Sequence, residues 1–186
     1  MMTIRNETPG DVGACEALLD RVWGPARFQK TAERLREGRS LAAGLSLVAE
    51  LDEDLVGTVR LWSVCAGPGR PALLLGPLAV EEGCRGRGIG ATLMRRAVAT
   101  AQRRGHRAVL LVGDAPYYEQ FGFSSQKTGA LRLPGPFESN RLLGCELVPG
   151  ALDGACGLIG ATGRPALTPK LDDLVARLGD SARRAA

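Results

Sequence analysis

The stretch EEGCRGRGIGATLMRRA, residues 81–97, constrains the fold of this chain more than any other segment. Three alternate glycines, Gly86, Gly88 and Gly90, precede an apolar, alanine-rich run with helical spacing. A glycine-rich turn that opens a helix leaves backbone N–H groups without partners, and the helix dipole adds about half a positive charge at the same end. The sequence therefore predicts a turn followed by a helix, with a phosphate group as the ligand of the turn.

Segments with helix and strand patterns alternate on both sides of this turn. The part before it predicts a helix that is capped by Thr8 and ends near Trp23, a second helix over 30–38, an antiparallel hairpin over 45–64 and a strand over 69–80. The part after it predicts a helix that ends near Gly105, an apolar strand over 107–114, a short helix over 115–121 capped by Asp114, and final strands within 141–148 and 154–161. This alternation predicts a mixed α/β layer structure.

Gly76 and Pro77 interrupt the predicted strand over 69–80. Because proline has no N–H to donate, a strand with proline in its middle forms a bulge or loses a neighbour there. The sequence therefore predicts that the sheet splits beside Leu78. Such a split leaves N–H and C=O groups of Leu78, Ala79 and Val80 without a sheet partner.

Composition narrows the classes of function. The 186-residue chain has 45% hydrophobic and 24% charged residues, as expected for one globular domain. Its net charge of +4 comes without a block of basic residues and interleaved aromatics, which argues against a nucleic-acid partner. No apolar run reaches the roughly 18 residues of a membrane span, and the first residues lack a signal-peptide pattern, so we expect no membrane association.

The cysteines and the single histidine bear on metal chemistry and on location. The five cysteines lack a CxxC or other ligand spacing, and His106 is the only histidine of the chain. We therefore expect no metal site. Unpaired cysteines favour a reducing compartment, which points to the cytoplasm.

Three kinds of phosphate-binding loop compete for the segment CRGRGIGATL. A P-loop is excluded because no lysine follows the glycines. The dinucleotide fingerprint G-x-G-x-x-G/A is present as Gly86, Gly88 and Ala91, and Asp114 stands where a ribose-binding acid would lie. Against it, the segment EEGCR separates Val80 from Gly86, and the chain lacks the residues for a second mononucleotide-binding half. NAD(P) binding stays an alternative at this point.

The third kind of loop combines several segments. GPLAV, GRGIG and VGDAPYYEQFGF follow one another in this order over residues 76–123. This order resembles the GNAT superfamily of acetyl-CoA-dependent N-acetyltransferases, and it is similar to a bacterial branch of uncharacterised members. In the family, an R/Q-x-x-G-x-G/A loop, here Arg85, Gly88 and Gly90, holds the coenzyme A pyrophosphate. The resemblance covers about residues 3–160.

The resemblance implies an α/β fold with a mixed sheet, mostly antiparallel, that splits between its central strands and carries helices on both faces. It implies an acetyltransferase domain over 1–163. The segment after it lies outside the resemblance, but linker-like composition followed by apolar residues at helical spacing predicts a linker and a C-terminal helical tail over 164–186. Acetyl-CoA is the implied co-substrate, with its pyrophosphate on the glycine loop and its pantetheine arm along the free strand edge. The implied coenzyme-binding residues are Leu78, Ala79, Val80, Arg85, Gly86, Arg87, Gly88, Ile89, Gly90 and Ala91.

The resemblance also assigns catalytic roles. Tyr118, which precedes EQFGF, is the general acid that protonates the leaving thiolate, and Tyr117 beside it is the packing alternative. Glu81, Glu82 and Glu50 are candidates for the general base. We choose Glu81 first, because it directly follows the strand that would bind the thioester.

The implied reaction transfers an acetyl group from acetyl-CoA to a primary amine by direct attack on the thioester. The acceptor would be a small molecule or a peptide. Trp23, Phe28, Arg60 and Trp62 are candidates for its pocket, with Arg60 pairing with a carboxylate. A non-catalytic acyl-CoA-binding sensor on the same fold is the alternative from another class of function. The sequence leaves open whether two copies form a homodimer.

Overall fold

The computed structural model describes residues 1–166 and contains one open sheet with helices on both faces. The helices are α1 (Val12–Trp23), α2 (Ile89–Arg103) and α3 (Ala115–Tyr118). The strands are β1 (Met2–Asn6), β2 (Ser46–Leu51), β3 (Asp54–Ala66), β4 (Pro71–Val80), β5 (Ala108–Val112), β6 (Leu131–Arg132), β7 (Leu142–Glu146) and β8 (Gly157–Ala161). The helix predicted near the C-terminus lies outside the described residues.

The sheet has the strand order β1-β2-β3-β4-β5-β7, and β8 pairs with both β3 and β6. Only the pairs β4–β5 and β6–β8 are parallel, and all other pairs are antiparallel. The predicted mixed, mostly antiparallel sheet is therefore confirmed. No helix among residues 1–166 is long and apolar enough to cross a membrane.

The predicted split lies between β4 and β5. These strands pair only at Leu73 with Val109 and at Leu74 with Leu110. From Leu75 to the end of β4, the edge that faces β5 has no strand partner. The split therefore begins a few residues earlier than the sequence predicts.

Pro77 lies at a bulge, as predicted. β3 and β4 pair with Val59 opposite Leu78 but with Leu61 opposite Leu75, so β4 has an extra residue in this interval. An extra residue in one strand reverses which face its side chains point to. The bulge over 76–77 therefore gives the end of β4 a different orientation from its beginning.

The packing shows this reversal directly. Before the bulge, Leu73 and Leu75 belong to the core cluster that also contains α2. After it, Leu78 and Val80 pack against that cluster, and Ala79 packs against α1 on the opposite face. After the bulge, Leu78 and Val80 therefore face α2, and Ala79 faces α1.

The helices hold the sheet from both sides. The face covered by α2 receives five buried side chains from that helix, namely Ile89, Leu93, Met94, Ala97 and Ala101. On the other face, α1 buries Cys15, Leu18 and Leu19. A fully buried leucine stabilises the fold by about 1.5–3 kcal/mol, so this packing fixes α2 and its N-terminal loop against the sheet.

Two predicted elements differ in the structure. The segment predicted as a helix over 30–38 contains one 3-10 turn, Thr31–Leu35, preceded by another, Pro25–Gln29. Lys30 between them is extended, with ψ of 134°, which prevents a continuous helix. Asp114 stands at the start of α3, but its side chain makes no capping bond and instead pairs with Arg141 at 3.2 Å.

The sequence predicts that the domain ends at residue 163, and the residues directly after this position also contact the domain. The Ser40 N–H donates to the Arg164 carbonyl at 2.8 Å, and the Ala166 N–H donates to the Gly38 carbonyl at 2.9 Å. Arg164, Pro165 and Ala166 therefore pack on the domain, as far as the described residues extend.

Candidate active site

The glycine loop before α2 has the backbone that its sequence predicts. Gly86 and Gly88 have φ values of 78° and 74°, a region that L side chains rarely adopt. A Cβ atom at either position would have no other atom within 4 Å. Glycine is therefore needed here for its conformation, while the space above the loop is open.

The loop presents a row of free donors. Within residues 1–166, the six consecutive N–H groups from Gly86 to Ala91 have no hydrogen-bond acceptor. The Arg85 N–H, which we expected to join them, donates to the Glu82 carbonyl at 3.1 Å. Six free donors at the positive end of α2 form a concave site that suits an anion with several oxygens.

A cavity of about 760 Å³ lies at the split between β4 and β5. Residues 75–78 of β4 and 111–114 at the end of β5 form opposite walls, with Tyr118 beside them. Trp23 at the end of α1 and side chains from 27–36 and 133–141 complete the lining. The volume is in the range of small-molecule sites.

The edge of β4 at the cavity is not entirely free. The Trp23 indole N–H donates to the Leu78 carbonyl at 3.2 Å, and the Trp62 indole N–H donates to the Gly76 carbonyl at 2.9 Å. We expected the groups of Leu78, Ala79 and Val80 to lack sheet partners on this side. That holds for the sheet, but an indole occupies the carbonyl of Leu78.

Tyr118 lies in the cavity wall with its ring against Gly113. A Cβ at Gly113 would lie 2.2 Å from the Tyr118 Cε2 atom, so only glycine permits this position of the ring. Burial, followed by the nearby Tyr117 and Asp114, raises the pKa of Tyr118 to about 12. The hydroxyl has no hydrogen-bond partner among residues 1–166 and is protonated at neutral pH.

Tyr117 points elsewhere. Its hydroxyl lies 3.2 Å from where a Cβ on Gly90 would stand, next to the first turn of α2. Its ring meets that of Tyr118 edge-on, with centroids 4.9 Å apart. The two neighbouring tyrosines therefore face the two different parts of the site, Tyr117 the glycine loop and Tyr118 the cavity.

The three glutamates considered as bases lie outside the cavity wall. Glu81 pairs with Arg21 at 2.7 Å, and hydrogen bonding by this guanidinium lowers the pKa of Glu81. Glu50 pairs with Arg5, and Glu82 is exposed. A carboxylate with a lowered pKa is a weaker base, so the ion pair makes Glu81 less basic than a free glutamate.

The wall instead contains three other carboxylates, those of Glu33, Asp114 and Glu138. Sequence reasoning did not select Glu33 or Glu138, because neither residue belongs to a recognisable motif. Their approach to the strand ends depends on chain packing that a sequence pattern does not encode.

Of the four aromatic and basic residues proposed for the acceptor pocket, the structure places one in the cavity wall. Trp23 lines the cavity, but Arg60, Trp62 and Phe28 do not. Arg60 is buried and binds Glu7 at 2.6 Å and Glu16 at 2.5 Å, so its charge is already neutralised.

The other two have structural contacts of their own. Trp62 donates to the carbonyl of Gly76, and Phe28 is exposed with the Arg27 guanidinium 4.0 Å above its ring. The expectation that Arg60 binds an acceptor carboxylate is wrong, because an arginine inside an apolar strand needs counter-ions from its own chain.

Comparison with known proteins gives the family. The model of the acetyltransferase (GNAT) family matches residues 14–123, which include both the glycine loop and Tyr118. This chain belongs to the GNAT family. The resemblance seen in the sequence is therefore confirmed, and a crystal structure of a GNAT-family relative has a similar fold.

Individual relatives of this GNAT chain agree with the match. The uncharacterized N-acetyltransferase YhbS of Escherichia coli K12 is 32% identical over 160 residues, which are 85% of this chain and 95% of YhbS. The crystal structure of YhbS in complex with CoA is 31% identical, covers 86% of this chain and 89% of its own, and has a TM-score of 0.73. A GNAT acetyltransferase from Brucella melitensis in complex with acetyl-CoA is 29% identical, with coverage of 76% and 94% and a TM-score of 0.55.

Proposed function

We propose that this chain transfers an acetyl group from acetyl-CoA to a primary amine, by direct attack of the amine on the thioester. The chain is a GNAT acetyltransferase, and two relatives of about 30% identity bind CoA and acetyl-CoA. One observation carries the proposal for this chain. The free N–H groups from Gly86 to Ala91 lie at the start of α2, in the loop that corresponds to the family's pyrophosphate-binding motif.

In this proposal the pyrophosphate of acetyl-CoA accepts hydrogen bonds from the backbone of the glycine loop, residues 86–91. Arg85 and Arg87 are exposed beside the loop and add charge-assisted contacts. The pantetheine arm lies along the edge of β4 at Leu78, Ala79 and Val80, where the strand has no partner on the side of β5. A free N–H on this edge polarises the thioester carbonyl.

The reaction moves one proton from nitrogen to sulfur. The neutral amine attacks the thioester carbon, a C–N bond forms, the C–S bond breaks, and the products are an amide and a thiol. Tyr118 donates its O–H to the sulfur as negative charge develops there. Its raised pKa, about 12, keeps the proton in place at every pH at which the enzyme would work.

The amine must also lose a proton, because an amine with a pKa of about 10.4 is mostly protonated at neutral pH. We retain Glu81 as the first base to test, acting through water, since it follows β4 directly. Asp114 is the matched alternative because it lines the cavity beside Tyr118. A loss of turnover in Glu81→Gln but not in Asp114→Asn supports Glu81, and the reverse result moves the base to Asp114.

The alternative is a non-catalytic module that binds acyl-CoA. The experiment that separates the two uses the full chain with acetyl-CoA and a panel of primary amines, and it measures the N-acetylated product by mass spectrometry together with thiol release. We expect amine-dependent product for at least one member. Binding of acetyl-CoA without product from any amine would overturn the enzymatic proposal.

Two further parts of the proposal concern location and assembly. A reducing, cytoplasmic location is supported by five free cysteines, none of which forms a disulfide. A homodimer is proposed as a state to test by measuring the mass of the protein in solution.

A further inference from the structure

The acceptor side of the cavity carries an excess of positive side chains. Five cationic residues line the cavity, against the three carboxylates of Glu33, Asp114 and Glu138; the five are Arg27, Lys30, Arg34, Arg36 and Arg141. Amine acceptors reach the enzyme mostly as ammonium ions. A positive wall repels such ions unless the acceptor also brings negative charge.

Two of the five cations are already engaged. Arg27 binds Asp20 at 2.8 Å and also pairs with Glu16, and neither carboxylate belongs to the cavity wall. Arg34 donates to the Pro134 carbonyl at 2.6 Å. The chain itself therefore holds both of these side chains, and the other cations that line the cavity are Lys30, Arg36 and Arg141.

Arg36 lies against the strand that would hold the thioester. Its Nη2 atom is 2.9 Å from where a Cβ on Gly76 would stand, so only glycine lets the guanidinium approach β4 this closely. The side chain is 11% exposed, and Glu33 at 3.3 Å is its one carboxylate partner among residues 1–166. Its Nε atom is buried with no acceptor in the same part of the chain.

Arg141 repeats this feature on the other side of the cavity. Its Nη2 atom lies 3.2 Å from Asp114, while its Nε atom is buried and has no acceptor among residues 1–166. A buried donor without a partner destabilises the fold. Two arginines that line one cavity each have such a donor, which favours a ligand that supplies acceptor oxygens to their guanidinium groups.

Lys30 completes the group. Its ammonium lies 3.8 Å from the centroid of the Trp23 ring, and no carboxylate of residues 1–166 is within ion-pair distance. Burial, together with the charges of Arg36 and Arg141, lowers the pKa of Lys30. The three cations line the same cavity, so they can act on a common ligand.

Building on the proposed acetyl transfer, we infer that the acceptor is a small primary amine bearing a carboxylate or phosphate group, and that Lys30, Arg36 and Arg141 hold this group. The guanidinium groups of the two arginines supply hydrogen bonds, and Lys30 adds charge at the rim beside Trp23. With the anion held near Gly76, the amine lies toward the following residues of β4 and toward Tyr118. The cavity volume of about 760 Å³ admits a small molecule of this kind.

The inference predicts a clear preference between matched acceptors. An amine without the anionic group leaves the buried guanidinium donors unpaired, and a site built to bind a polar group rejects analogues that lack it. We expect kcat/KM to be at least about tenfold higher for the anionic member of each pair.

The test compares amines that differ only in the anion, with the full chain and saturating acetyl-CoA. For carboxylates the pairs are tyrosine with tyramine, lysine with cadaverine and histidine with histamine. For phosphates they are phosphoethanolamine with ethanolamine and glucosamine 6-phosphate with glucosamine. Preference within the first set identifies a carboxylate, and preference within the second set identifies a phosphate.

Variants then show which residues create the preference. Arg36→Gln is expected to raise KM for the anionic member at least about tenfold, and to reduce the ratio of kcat/KM between the anionic and the neutral member by a similar factor. Lys30→Gln is the second variant, in case loss of Arg36 unfolds the protein. Arg103→Gln, at the exposed end of α2, is the control and should change neither member.

Equal or better use of the neutral amines overturns the inference, and so does a preference that survives both Arg36→Gln and Lys30→Gln in folded protein. If no amine of either kind is acetylated, the proposed acetyl transfer fails on its own. Calorimetric binding of the anionic amines then decides the inference separately. Binding that Arg36→Gln abolishes supports it, and no binding overturns it.

Discussion

The two ends of the cleft are built in different ways. At the coenzyme end, the glycine loop supplies donors from six consecutive backbone N–H groups. At the acceptor end, the cavity wall takes its side chains from segments that are distant in the chain, among them 27–36, 75–78, 111–118 and 133–141. A site made of consecutive backbone groups can be recognised in one stretch of sequence. A site made of side chains from distant segments forms only when the chain folds.

Tyr118 lies where the two ends meet, so its loss gives the largest effect on rate. Tyr118→Phe removes one hydroxyl and little volume, and we expect kcat to fall about 10²- to 10⁴-fold with nearly normal affinity for acetyl-CoA. Rapid-mixing measurement of the acetyl-transfer step is the direct readout, because slow product release would hide part of the loss.

Tyr117→Phe is the matched control, because Tyr117 faces the glycine loop and not the cavity. Its effect on kcat should be mild. A slow Tyr117→Phe beside a normal Tyr118→Phe would transfer the acid role to the neighbour. If neither variant slows transfer, both tyrosines only pack the core.

Gly88→Val tests the coenzyme end next. A left-handed backbone costs an L residue about 1–2 kcal/mol, so we expect affinity for acetyl-CoA to fall about tenfold while the fold persists. Gly83→Val, in the turn just before the glycine loop, is the control, since Gly83 is also open to solvent but lacks a positive φ. Unchanged affinity in a folded Gly88→Val protein would show that the loop backbone does not hold the coenzyme.

Arg85→Ala should have a smaller effect, about threefold on acetyl-CoA affinity at low salt. Its side chain is exposed, so dissolved ions screen its interaction with phosphate and the loss should shrink as salt increases. Titrations of both proteins at several salt concentrations measure this trend. A loss that is independent of salt would indicate damage to the loop itself.

The smallest effect is expected from deleting residues 167–186. Both ends of the cleft come from residues before this segment, so acetyl-CoA affinity should stay within about twofold by calorimetry. A large loss would place part of the site in the deleted segment. A changed mass in solution would assign the segment to an interface.

The same contrast explains what the sequence could predict. The turn before α2 and the bulge at Pro77 follow from glycine and proline themselves, whose backbone limits act locally. The acceptor wall was not predictable in this way. Arg60 looked available in the sequence but is neutralised by Glu7 and Glu16. Glu7 follows β1 and Glu16 lies on α1, so both are distant from Arg60 in the chain and meet it only in the folded structure.

Arg36 is the opposite case to Arg60, because it was not selected from the sequence but lines the cavity. In the sequence it is one of several arginines in a charged segment, and nothing there distinguishes it from Arg34. In the structure, two short turns separated by the extended Lys30 replace the predicted helix, and the Arg36 guanidinium lies against Gly76. Such a contact depends on tertiary structure and has no motif.

The most direct test of the coenzyme end is a thermal-shift and calorimetric comparison of acetyl-CoA with NADP on the full chain, with NAD as a further control. We expect acetyl-CoA to bind and, at about 100 times its Kd, to stabilise the fold by about 2.7 kcal/mol, with no comparable effect of either dinucleotide. Stabilisation by NADP and none by acetyl-CoA would contradict the assignment of the glycine loop to coenzyme A.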